Sequence, residues 1–316
     1  MPICLSPGGQ MMTVGAAPED TFLVGTVDGV FSFARSGGAW TPQEKSLAGE
    51  HISALLFEPT SRTLFAGTFG EALYASGDLG RNWERRDRGL GGREIYSLAG
   101  QQLAGRPRVY AGTQPAHLFY SDDLGKNWTE LSGLREVAGV EEWTFPGPPH
   151  QAHVKSLAFD VKQPEKIYAA VEVGGFLKSE DGGKSWTSLT PRDFRIGYVD
   201  PLLIHPHNRN LLFVAGGKTG PGTWRKLHTA DSRIARSTDG GKSWEVLHNG
   251  LPEHIRGNVE AFSMDTWNGG FALFAGTTDG EVFYSDDAGE SWKKIIQGIG
   301  AVSKAHHYQN LALSAA

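Results

Sequence analysis

Apolar and polar positions along the chain fall into many short segments with the two-residue period of a strand. Residues 52–57, 154–159, 199–204 and 259–264 are compact β-branched and aromatic runs of the kind that fill buried strands. Each recurrent unit also holds a strand ending in small residues: Val24-Gly-Thr26, Ala66-Gly-Thr68, Ala111-Gly-Thr113, Ala169-Ala-Val171, Ala215-Gly-Gly217 and Ala275-Gly-Thr277. Alternating segments such as Glu71-Ala-Leu-Tyr74 and Glu281-Val-Phe-Tyr284 follow, and a tryptophan opens the last strand of the unit. The pattern predicts four short strands per unit, with helical periodicity scarce throughout.

What joins the third and fourth strands is a repeated motif. Ser76-Gly-Asp78-Leu-Gly80-Arg-Asn-Trp83, Ser121-Asp-Asp123-Leu-Gly125-Lys-Asn-Trp128, Ser179-Glu-Asp181-Gly-Gly183-Lys-Ser-Trp186, Ser237-Thr-Asp239-Gly-Gly241-Lys-Ser-Trp244 and Ser285-Asp-Asp287-Ala-Gly289-Glu-Ser-Trp292 all read S-x-D-x-G-x-x-W. Ser36-Gly-Gly-Ala-Trp40 is a degenerate sixth copy that lacks the aspartate. The chemistry is that of a turn: the carboxylate accepts hydrogen bonds from the amides ahead of it, and glycine tolerates positive φ. Because the same aspartate recurs in unit after unit, its expected role is structural; a catalytic site gathers different residues once.

Tryptophan intervals of 43, 45, 58, 58 and 48 residues with four strands each are the mark of β-propeller blades. The motif resembles the Asp-box, or BNR, repeat, and the resemblance covers roughly residues 11 to 292. That repeat occurs in sialidases, other glycoside hydrolases, sortilin-type receptor domains and photosystem assembly factors, so it implies a fold and leaves the chemistry open. The expectation is one all-β domain over residues 1–316, a six-bladed propeller of four-stranded antiparallel blades. Residues 301–316 either tie the ring shut or, in the seven-bladed alternative, begin a further blade completed by residues 1–10.

Composition narrows the function classes. The 42 glycines among 316 residues, about twice ordinary usage, match a chain rich in turns. A net charge of −5 without a basic run disfavours nucleic-acid or anionic-membrane partners, and no stretch is apolar enough for a membrane span. The single Cys4 excludes an internal disulfide framework and a Cys-x-x-Cys site. With no signal peptide visible, the chain reads as soluble and cytoplasmic, the alternative being a processed secreted chain. Its oligomeric state is open.

Two insertions mark one face. The fifth unit carries about twelve extra residues within 218–231, and the fourth is preceded by a long segment, 129–153. Both fall opposite the Asp-box turns, and long loops in compact domains commonly carry binding groups. Trp143, Trp224, Arg225 and His228 suit a planar, saccharide-like or anionic ligand, by stacking and charge-assisted hydrogen bonds; a latch between the loops would use the same tryptophans. Glu172, Tyr198 and Arg256 join them as ligand-holding candidates at the channel mouth.

His153, Asp200 and Glu260 are the acid–base candidates for a hydrolase or lyase. His51, His153 and His306 form a candidate set for a divalent metal, although they lack any short ligand motif. His205-Pro-His207 falls on the opposite face, where a turn role is expected. A sialidase needs an arginine triad and a Tyr–Glu nucleophile pair, but the early Arg-Ile-Pro signature is absent and residues 1–34 contain no arginine. No G-x-S-x-G, P-loop, H-E-x-x-H or dinucleotide fingerprint occurs in a supporting context. The leading expectation is a small-molecule or saccharide site on the loop-rich face, with glycosidase- or lyase-like chemistry if catalytic. The alternatives are a non-catalytic protein-binding scaffold or assembly factor and, more remotely, a sialidase-like glycosidase.

Overall fold

A computed structural model describes residues 1–143, 145, 149–160, 162–172, 174–189, 198 and 200–311. The strands form six sheets, each built on four consecutive neighbours, and the protein is an all-β, six-bladed β-propeller. Two compact units divide the chain, one of Met1–Ile52 with Arg195–Ala316, the other of Ser53–Phe194.

The Ser53–Phe194 unit holds the second, third and fourth blades. The second blade runs Ile52–Glu58, Thr63–Thr68, Leu73–Ser76 and Glu84–Arg85, its first strand starting on the last residue of the other unit. The third runs Glu94–Leu103, Arg106–Gln114, Leu118–Ser121 and Thr129–Glu130, and the fourth His153–Phe159, Ile167–Glu172, Gly175–Ser179 and Thr187–Ser188. Between these blades the facing side chains make apolar layers. Ala54, Phe65, Leu98, Val109 and Trp128 form one; Tyr110, Leu118, Val154, Ile167 and Leu177 form the next. Each large side chain fully withdrawn from water contributes roughly 1.5–3 kcal/mol. The small-residue strand ends serve these layers: a Cβ on Gly112 would sit 2.7 Å from the Val154 side chain.

The other unit holds the first, fifth and sixth blades. The fifth runs Leu202–His205, Asn208–Gly216, Arg233–Ser237 and Glu245–Val246, and the sixth Val259–Trp267, Gly270–Thr277, Val282–Ser285 and Lys293–Ile296. Leu203, Phe213, Phe262, Met264 and Trp292 pack between them. The strand expected over 199–204 is shorter and later than its apolar run suggests, and Val199 lies outside the described residues.

In the first blade the sequence pattern misses the leading strand. Ile3–Leu5 pairs parallel to Phe22, Leu23 and Val24, ahead of Thr21–Thr26, Gly29–Ser36 and Ala39–Ser46. A second short strand, Met12–Val14, runs parallel to Met264–Thr266 and adds a fifth strand to the sixth blade. The degenerate Asp box also has a physical reading. Gly37 and Gly38, with φ of 59° and 82°, make a two-residue hairpin between eight-residue strands, which needs no aspartate to hold it.

In the five complete Asp boxes one geometry recurs. The serine hydroxyl donates to the aspartate Oδ1 at 2.8 Å in every copy, from Ser76, Ser121, Ser179, Ser237 and Ser285. That hydroxyl also accepts from the amide four residues on, as from Gly80 at 2.8 Å. Asp78 in turn accepts the Asn82 amide at 2.9 Å. Residues 79–80, 124–125, 182–183, 240–241 and 288–289 all have positive φ; in three copies the first place is taken by Leu79, Leu124 or Ala288, where the network holds a non-glycine residue in the left-handed region.

Candidate functional site

The sequence-predicted site residues divide between the two units. In the Ser53–Phe194 unit, His153 is buried and its Nε2 lies 2.9 Å from Glu172 Oε2, with Lys155 Nζ 3.5 Å from the same oxygen. Tyr96 lies against the imidazole, ring centroids 3.9 Å apart, and Phe145 approaches to 5.5 Å. His153 and Glu172 belong to the facing ends of two paired strands, where register brings them side by side. Trp143 follows a short 3-10 turn at Val140–Glu142 and packs, partly buried, against the layer containing Val171.

The other unit gathers a denser group. Its blades contribute Tyr198, Asp200, Asn258 and Glu260, the inserted segment contributes Trp224, and residues 301–311 lie across them. Asp200 pairs with the Lys304 ammonium and accepts from Asn258 Nδ2 at 3.1 Å; the Lys304 side chain is 2% exposed and that of Asp200 fully buried. Glu260 accepts from Ser303 Oγ and the Lys304 amide, both at 3.1 Å, on one oxygen, and meets His307 Nδ1 at 2.9 Å on the other. The Tyr198 hydroxyl stands 3.5 Å from the same imidazole nitrogen. His51 Nε2 meets the Ser303 carbonyl at 2.7 Å.

Electrostatics follow from that burial. Withdrawal from water works against a charged ring at His307, but the Glu260 carboxylate, by charge and hydrogen bond, with Asp200 behind it, outweighs burial and raises the imidazole's pKa; Lys304 pulls the other way. At His51 burial dominates and the pKa is lowered, with the hydrogen bond to Ser303 opposing.

The insertion at 218–231 is not a loop throughout. Pro221–Leu227 is a short helix with proline in its first turn, ending at His228 in a left-handed conformation. Trp224 is its anchor and has no exposed face for a ligand. Its indole donates to the Thr219 carbonyl at 2.7 Å, and it packs with Ala230, Leu311 and the Tyr198 ring. Trp224 thus packs inside its own unit, against Leu311 of the 301–311 segment, and offers no ring face for stacking. Arg225 and His228 are exposed on this helix. Arg256 pairs with Asp279 at 3.2 Å and donates to the Leu311 carbonyl at 3.0 Å.

The three histidines of the candidate metal set belong to different units, two to one and one to the other. His51 and His306 lie with ring centroids 6.0 Å apart, while His153 is engaged with Glu172 in the other unit. Among the described residues no group of three or more His, Cys, Asp and Glu is placed to hold a metal ion. Lys304 and His307, which were not among the candidates, are the buried side chains that meet Asp200 and Glu260. No sequence signal singles them out, since the segment 301–307 has no strand or helix period.

A separate concavity lies in the same unit beside the strand-one to strand-two hairpins of the fifth and sixth blades. It is an open cleft of ≈ 470 Å³ lined by residues that include Val14, His205, His207, Trp267 and Phe271. The His205 ring meets Phe271 edge to face at 4.9 Å.

Fold and repeat together define a β-propeller built on BNR/Asp-box repeats, and the BNR/Asp-box repeat model matches residues 283–294, the last copy. The chain is similar to a xyloglucanase of Paenibacillus sp, 29% identical over 152 residues, or 45% of this chain and 14% of the relative. It is also similar to a sialidase of Bacteroides fragilis (strain YCH46), 27% identical over 38% of this chain and 28% of the relative. The matches thus span less than a third of these relatives' own lengths. Among solved structures, the GH74 xyloglucanase from Xanthomonas campestris aligns over 92% of this chain and 46% of its own, with 19% identity and a TM-score of 0.47. YCF48 from Cyanidioschyzon merolae aligns over 92% and 85%, with 14% identity and a TM-score of 0.46. Among the described residues no helix is long and apolar enough to cross a membrane.

Proposed function

We propose that this chain is a binding propeller that recognises a peptide segment at Asp200, Asn258 and Glu260, without hydrolytic chemistry at those carboxylates. One observation carries the reading: both acid–base candidates of this unit are engaged and buried by residues 303–307, through side chains and main chain alike. A glycosidase needs one carboxyl group poised to give up a proton and another facing the sugar or an attacking water. Here the acidic groups instead complement an ammonium, an imidazole, a hydroxyl and an amide, which is the chemistry of peptide capture.

The test pairs turnover with binding. Xyloglucan and an α-sialoside reporter should both remain intact with the full chain. A variant ending at Gly300 should bind a synthetic peptide of residues 301–311, and Glu260→Gln in that variant should weaken binding by tenfold or more. Glycoside turnover that disappears in the full-length Glu260→Gln variant would overturn the reading.

A second reading, saccharide binding, is favoured by the cleft at His205, His207, Trp267 and Phe271, whose rings and imidazoles can stack on and hydrogen-bond a sugar. Titration with xyloglucan oligosaccharides should then perturb tryptophan fluorescence, and Trp267→Ala should abolish the change. An unchanged signal in the parent protein would dispose of it.

A further inference from the structure

Resting on the peptide-binding reading, we infer that residues 303–307 are a ligand held in cis, so that the chain blocks its own site until a basic peptide of like pattern displaces them. The pattern is an ammonium followed three residues later by a hydrogen-bonding imidazole, as in Lys304 and His307.

Three observations carry the argument. Residues 301–306 belong to no strand or helix, yet Val302, Ser303, Lys304 and Ala305 are buried. The segment is held by main-chain capture along its length: Val27 N–H donates to the Ala301 carbonyl at 2.9 Å, Val302 N–H to the Thr277 carbonyl at 3.0 Å, and Lys304 N–H to Glu260. His51 meets the Ser303 carbonyl and Arg256 donates to that of Leu311. Two side chains three residues apart then enter separate places, Lys304 at Asp200 and His307 between Glu260, Tyr198 and Trp224, whose ring stands edge-on at 6.3 Å. Main-chain hydrogen bonds for affinity with side-chain pockets for specificity is how domains take up extended peptides.

The receptor surface beneath is chemically distinct from its occupant. Removing residues 303–311 would leave two carboxylates, Asp200 and Glu260, beside two aromatic rings, Tyr198 and Trp224. Buried carboxylates select cations by ion pairing, and the flanking rings keep water from the pair. Tethering keeps the local concentration of the cis ligand near the millimolar range, so a free peptide of equal intrinsic affinity binds only weakly while the segment is seated.

The experiment is a fluorescence-anisotropy titration with a labelled peptide reproducing residues 301–311, against the full-length protein and against the full-length Lys304→Ala/His307→Ala variant. The variant should bind at least tenfold more tightly than the parent, and a control peptide carrying Lys304→Glu should bind neither. Equal, measurable binding by parent and variant would overturn occupation in cis while leaving peptide recognition standing. Binding by neither, nor by the chain ending at Gly300, would overturn the peptide-binding reading itself. Should the variants fail to fold, amide exchange on the parent decides: millimolar peptide should accelerate exchange at Lys304, and unchanged protection would refute displacement.

Discussion

The Asp-box turns and the carboxylates beneath residues 303–307 use the same side-chain chemistry in opposite ways. In the turns, Asp78, Asp181 and Asp239 are only half-buried and hold their partners within four residues; hydrogen bonds from Asn82, Ser185 and Ser243 keep each carboxyl low, at about 2. Asp200 and Glu260 are buried and draw their partners from 104 and 47 residues away. The first arrangement is repeated because it depends only on local chain geometry. The second occurs once because it depends on the whole unit being assembled. Repetition thus marks structure here, and the singular, long-range group marks the candidate for function.

The largest effect should come from leaving one member of the buried network alone. Asp200→Ala strands the Lys304 ammonium away from water and should cost about 3–5 kcal/mol, read from denaturant unfolding with an unchanged m-value. Removing both charges as Asp200→Leu/Lys304→Met should recover most of that loss, since apolar replacement of a whole buried pair is commonly neutral. A double variant as unstable as the single one would show that shape, and not charge pairing, holds the segment.

Next in size is the dependence on pH. His307 gains affinity for its proton on folding, so its contribution is complete below pH 6.5, its unfolded value, and is lost as pH rises through the elevated folded value. The groups facing it are Glu260, Tyr198, Asp200 and Lys304, with Trp224 against its edge. Thermal stability should fall above pH 6.5 in the parent and lose this slope in His307→Phe. The Asp boxes work in the reverse sense: their stabilisation is present above pH 3.8 and disappears as pH falls through about 2.

The smallest effect is expected in the turns. Asp287→Ala removes the acceptor for the Ser291 amide and hydroxyl in one blade, with the serine–glycine bond left in place. Its shift in melting temperature should be well below that of Asp200→Ala. A comparable loss would mean that the repeat is held by the aspartates individually, and the contrast between the two regions would collapse.

How far the molecule can be read from its sequence follows the same division. The blades were legible because strand period, small-residue ends and turn chemistry are local and recur. Asp200, Glu260, Tyr198 and Trp224 could be nominated from their places at strand starts and in an insertion. Their partners could not, because no rule of spacing links Asp200 to Lys304. Which of His306 and His307 turns toward Glu260 was illegible for the same reason, because no periodicity fixes which side chain of an irregular segment turns inward. The helix at Pro221–Leu227 escaped notice because seven residues are too few to display an amphipathic period. Ile3–Leu5 escaped because three buried residues show no alternation.

The two short parallel strands near the start of the chain carry a consequence for biosynthesis. Met12–Val14 must wait for Met264–Thr266, so at roughly 5–20 residues per second the ribosome leaves this segment without its partner for about 10–50 s. Over that interval Met12–Val14 offers an unpaired edge to any neighbour. A nascent chain stalled before residue 259 should therefore expose it to proteolysis, and one released beyond residue 267 should bury it.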